Sequence, residues 1–158
     1  ERHFRCKTDR NSRAIAGLSM GGYGSLIYTM RRPDLFSACY AMSAAVITKE
    51  DTPRWTYLGF QDPFKNENGE LVYDGYFDAY CAHSLIFSLS DDAKKTTRFM
   101  LDCGDDDGLL HGNLELFRIA RMIGAQCEMR VRDGGHTWDY WKSALPMALE
   151  FIDGGTPK

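Results

Sequence analysis

Four short apolar runs along the chain alternate with longer stretches in which apolar residues recur every three or four positions. The short runs predict buried strands, and the longer stretches predict amphipathic helices. The predicted strands lie at about 13–18, 37–43, 97–103 and 127–132, and the predicted helices lie at about 21–32, 112–123 and 138–152. This alternation is typical of an α/β fold, in which helices cover both faces of a mostly parallel sheet.

Proline and glycine set the expected helix ends. Pro33 is expected to end the first helix and Gly124 to cap the second, because proline cannot continue a helix and glycine accepts the left-handed cap conformation. Pro146 lies inside the third predicted helix, so we expect either a kink there or a helix in two pieces.

The segment at about 47–90 differs from the rest, because scattered aromatic residues and prolines replace the periodic pattern. We interpret it as an insertion within a single domain that spans residues 1–158. Its aromatic rings, Trp55 among them, either build a small satellite core or offer flat apolar surface to a ligand. The sequence leaves both alternatives open.

One motif points to chemistry: Gly17-Leu18-Ser19-Met20-Gly21, at the junction of the first strand and the first helix. This is the pattern of a nucleophile elbow, a tight turn whose strain points the serine Oγ into open space. The prediction requires small residues at positions 17 and 21, where a Cβ is expected to have no room. The alternative is a turn serine whose hydroxyl caps the following helix.

A serine nucleophile of this kind needs an acid and then a histidine downstream, each in a loop after a further strand. The third predicted strand runs into an acidic segment at 102–108, which we predict as a loop. It contains three candidate acids, Asp105, Asp106 and Asp107. The last predicted strand leads into two glycines and His136, a turn flexible enough to bring an imidazole to the serine. His136 is therefore the candidate base, and the alternative is a surface histidine in a glycine turn.

Three strings extend these motifs. They are Arg13-Ala14-Ile15-Ala16-Gly17-Leu18-Ser19-Met20-Gly21-Gly22, Cys103-Gly104 with Asp107, Leu109, Leu110 and Asn113, and Gly134-Gly135-His136-Thr137-Trp138-Asp139-Tyr140-Trp141. Together they resemble the "putative esterase" family of α/β-hydrolases, which includes feruloyl and acetyl-xylan esterases of carbohydrate esterase family one and tributyrin-type esterases. In that family the acid follows the strand-ending glycine by three residues, so the resemblance selects Asp107. The residues around His136 disfavour the S-formylglutathione hydrolase branch.

The resemblance implies the C-terminal part of an α/β-hydrolase fold, a mostly parallel sheet with helices on both faces and with the N-terminal strands absent from this chain. The strand at about 13–18 is then expected to form an unpaired sheet edge. The backbone N–H of Met20 is implied as one oxyanion donor, and the other is expected from a loop upstream of Glu1. We therefore expect the chain alone to be a weak or inactive catalyst.

The resemblance also implies a serine carboxylic-ester hydrolase that needs no metal or organic cofactor. Feruloyl, acetyl or short acyl esters of carbohydrates are the expected substrates, and Trp138, Tyr23 and Trp55 are the expected substrate-binding residues. An acyltransferase with the same triad and a catalytically inactive binding protein are the alternatives. The expected partners are a small-molecule or carbohydrate ester and the N-terminal part of the same protein, and the sequence leaves homo-oligomerisation open.

Composition and charge argue against several other classes of protein and of site. A net charge of −3 without a basic stripe argues against nucleic acid, and no stretch is long and apolar enough to span a membrane. The five cysteines have no paired short spacing, so neither a disulfide framework nor a metal knuckle is predicted. A calcium loop around Gly108 fails because Leu114 stands where a bidentate glutamate is needed. The compartment stays open: secreted or periplasmic for a hemicellulose esterase, cytoplasmic for a general carboxylesterase.

Overall fold

The computed structural model describes residues 5–47, 65–70, 72 and 80–154. Within them, four strands form one parallel sheet in the order β1-β2-β3-β4, which is also their order along the chain. The strands are β1 (Ala14–Leu18), β2 (Ala38–Met42), β3 (Arg98–Gly104) and β4 (Gln126–Arg132). The predicted parallel sheet is confirmed, and in the described part of the chain β1 pairs with β2 alone and forms an edge, as expected.

The described residues also form five α-helices: α1 (Met20–Arg31), α2 (Ala82–Leu85), α3 (Asp91–Thr96), α4 (Leu110–Met122) and α5 (Trp138–Ile152). The three predicted helices correspond to α1, α4 and α5. Helices α2 and α3 were not predicted. A signal for α3 was present, because Ser90 caps that helix by accepting a hydrogen bond from the Ala93 N–H, and serine is a preferred N-cap residue.

The helix ends follow the proline and glycine positions with one exception. Helix α1 ends two residues before Pro33, and Gly124 follows α4 with φ +79°, the left-handed cap conformation. Helix α5 runs through Pro146 as a single helix, so of the two expected alternatives the division into two pieces is wrong. The acidic segment is also shorter as a loop than expected, because β3 continues through Asp102 to Gly104.

Strand alternation sends successive side chains of the sheet to two different faces. On the first, which we call the α4 face, α1 and α4 pack against β2 and β3. Its fully buried apolar residues include Leu26, Cys39, Ala41, Phe99, Leu101, Leu116 and Ala120. This face forms the larger apolar core of the described residues.

The second face, which we call the α5 face, is covered by helix α5. Its buried residues are Ala38, Tyr40, Met42, Met100, Tyr140, Trp141, Ala144, Ala148 and Phe151. Here the aromatic ring of Phe151 meets that of Tyr40 edge-on at 5.7 Å, and the Arg98 guanidinium lies over the Phe151 ring at 4.7 Å from its centre. Helix α5 is thereby fixed on the sheet with its N-terminus at the carboxyl ends of the strands.

Most of the aromatic-rich insertion, including Trp55, lies outside the described residues. The part that is described includes α2, whose first residue Ala82 is buried in the core of the α4 face. Among the described helices, none combines the length and the hydropathy that a membrane span requires.

Candidate active site

Ser19 lies in a strained turn between β1 and α1. Its backbone has φ 55° and ψ −120°, a conformation that costs a non-glycine residue free energy and persists only where the surroundings impose it. The turn is held on both sides, because the Ser19 N–H donates to the Met42 carbonyl at 2.9 Å and the Ser19 carbonyl accepts from the Tyr23 and Ala45 N–H groups at 3.0 Å. The hydroxyl makes no cap hydrogen bond to α1, so the capping alternative is wrong.

Two glycines make room for this turn, and only the first of them is one that the motif suggested. A Cβ at Gly17 would overlap the Gly21 carbonyl, which confirms the first small residue. A Cβ at Gly21 would meet no atom of the described residues, whereas one at Gly22 would lie 3.0 Å from the Met42 carbonyl oxygen and 3.1 Å from the Cα of Ala44. The close approach therefore falls on Gly22, where α1 crosses the end of β2.

Three distant side chains meet at the carboxyl ends of the strands. The Ser19 Oγ lies 2.9 Å from Nε2 of His136, and Nδ1 of the same ring lies 2.9 Å from Oδ2 of Asp107. With the Nδ1 proton donated to the carboxylate, Nε2 is left to accept the serine hydroxyl proton. The arrangement is that of a Ser-His-Asp triad in the chain order of α/β-hydrolases.

The structure brings Asp107, and not Asp105 or Asp106, to the histidine. Its side chain is 1% exposed, while its two neighbours are exposed at the surface. The other carboxylate oxygen, Oδ1, accepts the Leu109 N–H at 2.9 Å, so both oxygens have a donor. A buried carboxylate with both oxygens bound is fixed in orientation and so fixes the imidazole it faces.

The acid loop and the histidine loop are bonded to each other. Asp105 donates its N–H to the Arg132 carbonyl and accepts the Gly134 N–H at its side chain, and the Asp106 N–H donates to the Gly134 carbonyl, each at 3.0 Å. A Cβ on Gly104 would overlap the Gly134 carbonyl, so glycine is needed there for the two loops to meet. The distance between Asp107 and His136 is therefore set by backbone contacts.

A chain of aromatic contacts lies beside the imidazole. The His136 ring meets the Trp141 ring edge-on at 4.8 Å, and Trp138 meets Trp141 edge-on at 5.3 Å. The Trp141 Nε1 donates to the Ser43 Oγ at 3.1 Å, at a residue with φ 43°. Trp138 itself is 64% exposed, so it offers a flat apolar surface next to the histidine.

The remaining predicted residues stand as follows. Met20 is the first residue of α1, where a backbone N–H has no acceptor within the helix, and its side chain is exposed. Tyr23 is half-buried on α1, and its hydroxyl donates to the Tyr80 carbonyl at 2.5 Å. Trp55 lies outside the described residues. Substrate binding by these residues stays a prediction.

A buried polar cluster under the site was missed by the sequence analysis. Asp102, fully buried on β3, accepts hydrogen bonds from Tyr40, Tyr140 and Arg132. Burial, together with the hydrogen bond to the Asp102 carboxylate, raises the pKa of both tyrosines well above the ordinary value, so they act only as donors here. The signal in the sequence is an acid that continues an apolar strand, at a position where the predicted strand and the predicted loop overlap.

Among the residues that the structure describes, the other titratable groups form no second centre. The carboxylates of Asp105, Asp106 and Asp133 approach one another, but all three are exposed, and such acidic groups are common at protein surfaces without an ion. His83 is buried, with Nε2 3.0 Å from the Gly112 carbonyl oxygen and Nδ1 3.4 Å from the Cys81 sulfur, which indicates a structural role.

Comparison with known proteins identifies the family. The family model described as "Putative esterase" matches residues 1–152. The chain belongs to this esterase family. The resemblance drawn from the three strings is thereby confirmed.

The chain is also similar to individual proteins, in sequence or in fold. The chain is 27% identical over 151 residues to an acetyl esterase from Caldicellulosiruptor saccharolyticus, covering 90% of this chain and 55% of that protein. A solved ferulic acid esterase is 37% identical with a TM-score of 0.69, covering 92% of this chain and 52% of the other. The fluorophosphonate-binding serine hydrolase F of Staphylococcus aureus, 23% identical with a TM-score of 0.74 and coverages of 96% and 58%, supports the fold alone. The chain thus spans about half the length of these relatives.

Proposed function

We propose that this esterase-family member is a serine carboxylic-ester hydrolase in which Ser19 is the nucleophile, His136 the general base and Asp107 the acid that orients the histidine. The observation that carries the proposal is the pair of 2.9 Å contacts from the two nitrogens of His136, one to the serine hydroxyl and one to a buried carboxylate. A nucleophile, a base within hydrogen-bond reach and a group that orients the base are the three parts that nucleophilic catalysis needs.

The reaction follows from these contacts. Ser19 Oγ attacks the ester carbonyl carbon while Nε2 of His136 takes the hydroxyl proton, and the proton then passes to the departing alcohol oxygen. Water attacks the resulting acyl-enzyme with His136 again as base, which releases the carboxylic acid and restores the serine. Through both steps Asp107 stabilises the imidazolium and keeps the Nδ1 proton on the side away from the serine.

The oxyanion of each tetrahedral intermediate needs hydrogen-bond donors. We propose the backbone N–H of Met20 as one of them, because it belongs to the residue after the nucleophile and stands at the N-terminus of α1, where the helix dipole also favours negative charge. Removing one such donor typically lowers turnover by roughly 10²–10³-fold in serine hydrolases.

The substrate class we propose is a feruloyl, acetyl or short acyl ester of a carbohydrate. The names of two relatives, an acetyl esterase and a ferulic acid esterase, favour these acyl groups. Trp138 supports an aromatic or sugar-bearing substrate, because its exposed ring extends the aromatic surface that begins at the histidine. Tyr23 and Trp55 complete the proposed binding set.

The test uses the full-length protein with an aryl acetate and with methyl ferulate. Ser19→Ala is expected to lower kcat by roughly 10⁴–10⁶-fold while the thermal unfolding curve stays in place. The matched control is Ser88→Ala, an exposed serine whose hydroxyl bonds only the nearby Leu85 carbonyl in the described structure, and it is expected to leave kcat unchanged. Retained turnover in the Ser19 variant would contradict the proposal.

Product analysis separates hydrolysis from acyl transfer. With an added acceptor alcohol, a hydrolase releases free acid as its main product, whereas an acyltransferase gives the new ester. Predominant transfer at low acceptor concentration would replace the hydrolase assignment while keeping the triad.

A further inference from the structure

The buried carboxylate of Asp102 takes no direct part in the proposed reaction, yet it binds both ends of the segment that carries His136. It is 0% exposed, and its two oxygens have different partners. Oδ1 accepts the Tyr140 hydroxyl at 2.6 Å and an Arg132 Nη at 3.3 Å, and Oδ2 accepts the Tyr40 hydroxyl at 2.5 Å.

The partners of Oδ1 flank the histidine in sequence. Arg132 is the last residue of β4, four residues before His136, and Tyr140 is in the first turn of α5, four residues after it. The Arg132 guanidinium also lies 4.4 Å from the centre of the Tyr140 ring, so the two side chains pack on each other as well as on the carboxylate. The partner of Oδ2, Tyr40, belongs to β2 and to no loop of the site.

The loop between Arg132 and Tyr140 packs on Tyr140 itself. Gly134, with φ +134°, approaches the Tyr140 ring so closely that a Cβ there would lie 2.7 Å from Cδ2 of the ring. Thr137 then caps α5 by accepting the Tyr140 N–H at its hydroxyl. A shift of Tyr140 would therefore move the loop on one side and the helix start on the other, and His136 lies between them.

A carboxylate removed from water holds such partners firmly. Desolvating the charge is costly, and the cost is offset only while each oxygen keeps its donors in good geometry. Hydrogen bonds to a charged group are also stronger than those between neutral groups. The contacts of Oδ1 thus resist displacement of either end of the loop.

We infer that Asp102, Arg132 and Tyr140 form a carboxylate clamp that positions His136 relative to Ser19. The inference rests on the proposed function, and it makes the three clamp residues positioning residues, since none of them touches the triad. They affect the proposed reaction by placing the His136 imidazole. Proton transfer from Ser19 to His136 is highly sensitive to that placement.

The chain offers a matched pair of variants for the test. Tyr140→Phe and Tyr40→Phe each remove one buried hydroxyl from Asp102, the first from the clamp and the second from outside it. In the full-length protein, Tyr140→Phe is expected to lower kcat about 10-fold or more with KM changed less than about two-fold, because geometry and not ground-state binding is altered. Tyr40→Phe is expected to change kcat less than about two-fold.

The same substitution in a His136→Ala enzyme shows whether Tyr140 acts through the histidine. Groups that act as a unit have non-additive effects, so Tyr140→Phe is expected to leave the residual rate of a His136→Ala enzyme unchanged within about two-fold. A full 10-fold loss in that background, or equal losses of kcat in the two tyrosine variants, would overturn the clamp.

A measurement without turnover separates failure of the clamp from failure of the proposed function. If wild type and Ser19→Ala hydrolyse esters equally, the proposed function fails, and the clamp is then judged by proton NMR of the hydrogen bond between His136 Nδ1 and Asp107. That far-downfield resonance is expected in wild type and in Tyr40→Phe and is expected to broaden or shift in Tyr140→Phe. An identical resonance in all three proteins would overturn the clamp.

Discussion

The two faces of the sheet are packed with different chemistry. On the α4 face, β3 contributes Phe99 and Leu101, which are buried among apolar side chains from α1 and α4. On the α5 face, the same strand contributes Met100 and then Asp102, whose carboxylate is surrounded by hydroxyl and guanidinium groups. One strand therefore serves an apolar core on one side and a polar cluster on the other.

The difference coincides with the position of the site. The α5 face carries its polar cluster only at the carboxyl ends of the strands, where the loops with Asp107 and His136 leave the sheet. Apolar packing is non-directional and tolerates small shifts, whereas hydrogen bonds fix distances and angles. The α4 face therefore chiefly stabilises the fold, while in the proposed mechanism the carboxyl-end part of the α5 face also orients His136.

The largest expected effect is that of Asp107→Asn, in the polar region at the carboxyl ends of the strands. The amide oxygen can still accept the Leu109 N–H, so we expect the free energy of unfolding to change by about 1 kcal/mol or less. The amide N–H₂ facing His136 favours the wrong imidazole tautomer, and kcat is expected to fall about 10⁴-fold. Steady-state kinetics and chemical denaturation of the same preparation check both parts. A large loss of stability with little loss of kcat would reverse the roles assigned to the two regions.

The next effect comes from the α4 face, in Leu101→Ala. This side chain is 0% exposed, and truncating a buried leucine typically lowers the free energy of unfolding by about 2–5 kcal/mol. We expect kcat per folded molecule to stay within about two-fold of wild type, because Leu101 lies within β3 while the triad side chains meet beyond the carboxyl ends of the strands. Denaturant titration, with kcat measured under conditions where both proteins are folded, provides the check. A fall in kcat as large as that of Tyr140→Phe would mean that both faces orient the site.

The smallest expected effect is on the chemical reactivity of the two buried thiols of the α4 face. Burial raises the pKa of Cys39 and of Cys127 to about 12, from an ordinary value of 9.0, whereas Cys6 is exposed. We expect iodoacetamide to modify Cys6 in the native protein and to leave the other two unmodified until the protein unfolds, as peptide mass spectrometry can follow.

The same raised pKa values have a consequence for stability. The folded state keeps these two thiol protons to higher pH than the unfolded state. The contribution of the two thiols to the free energy of unfolding is therefore constant below about pH 9 and decreases as the pH rises toward 12. Rapid alkylation of Cys39 and Cys127 in the native protein at pH 8 would show that the α4 face opens more readily than its packing indicates.

The sequence was sufficient for the sheet and for the three long helices, because each strand is a short apolar run and each long helix has apolar residues at helical spacing. The sites of Ser19 and His136 were also predictable, since glycines next to each mark tight turns at the ends of strands. Among three neighbouring acids, however, the sequence pattern left the choice open. In the structure, the burial of Asp107 distinguishes it from the exposed Asp105 and Asp106.

The features that were missed depend on contacts between distant segments. The bonds of Asp102 to Tyr40 and Tyr140 join residues 62 and 38 positions apart, and no local pattern reports such a pairing. The crowding at Gly22 was assigned to Gly21 for the same reason, because it arises from the end of β2 and not from the turn itself. The helix at α3 was missed although its cap signal is local, because it is only six residues long.

The central claim is that Ser19 is the nucleophile, and covalent labelling tests it most directly. The full-length protein is treated with a fluorophosphonate, digested and mapped by mass spectrometry, with Ser19→Ala treated in parallel. We predict a phosphonyl group on Ser19 in wild type and none on the variant. Modification at a different residue, or no modification of the folded wild-type protein, would contradict the account.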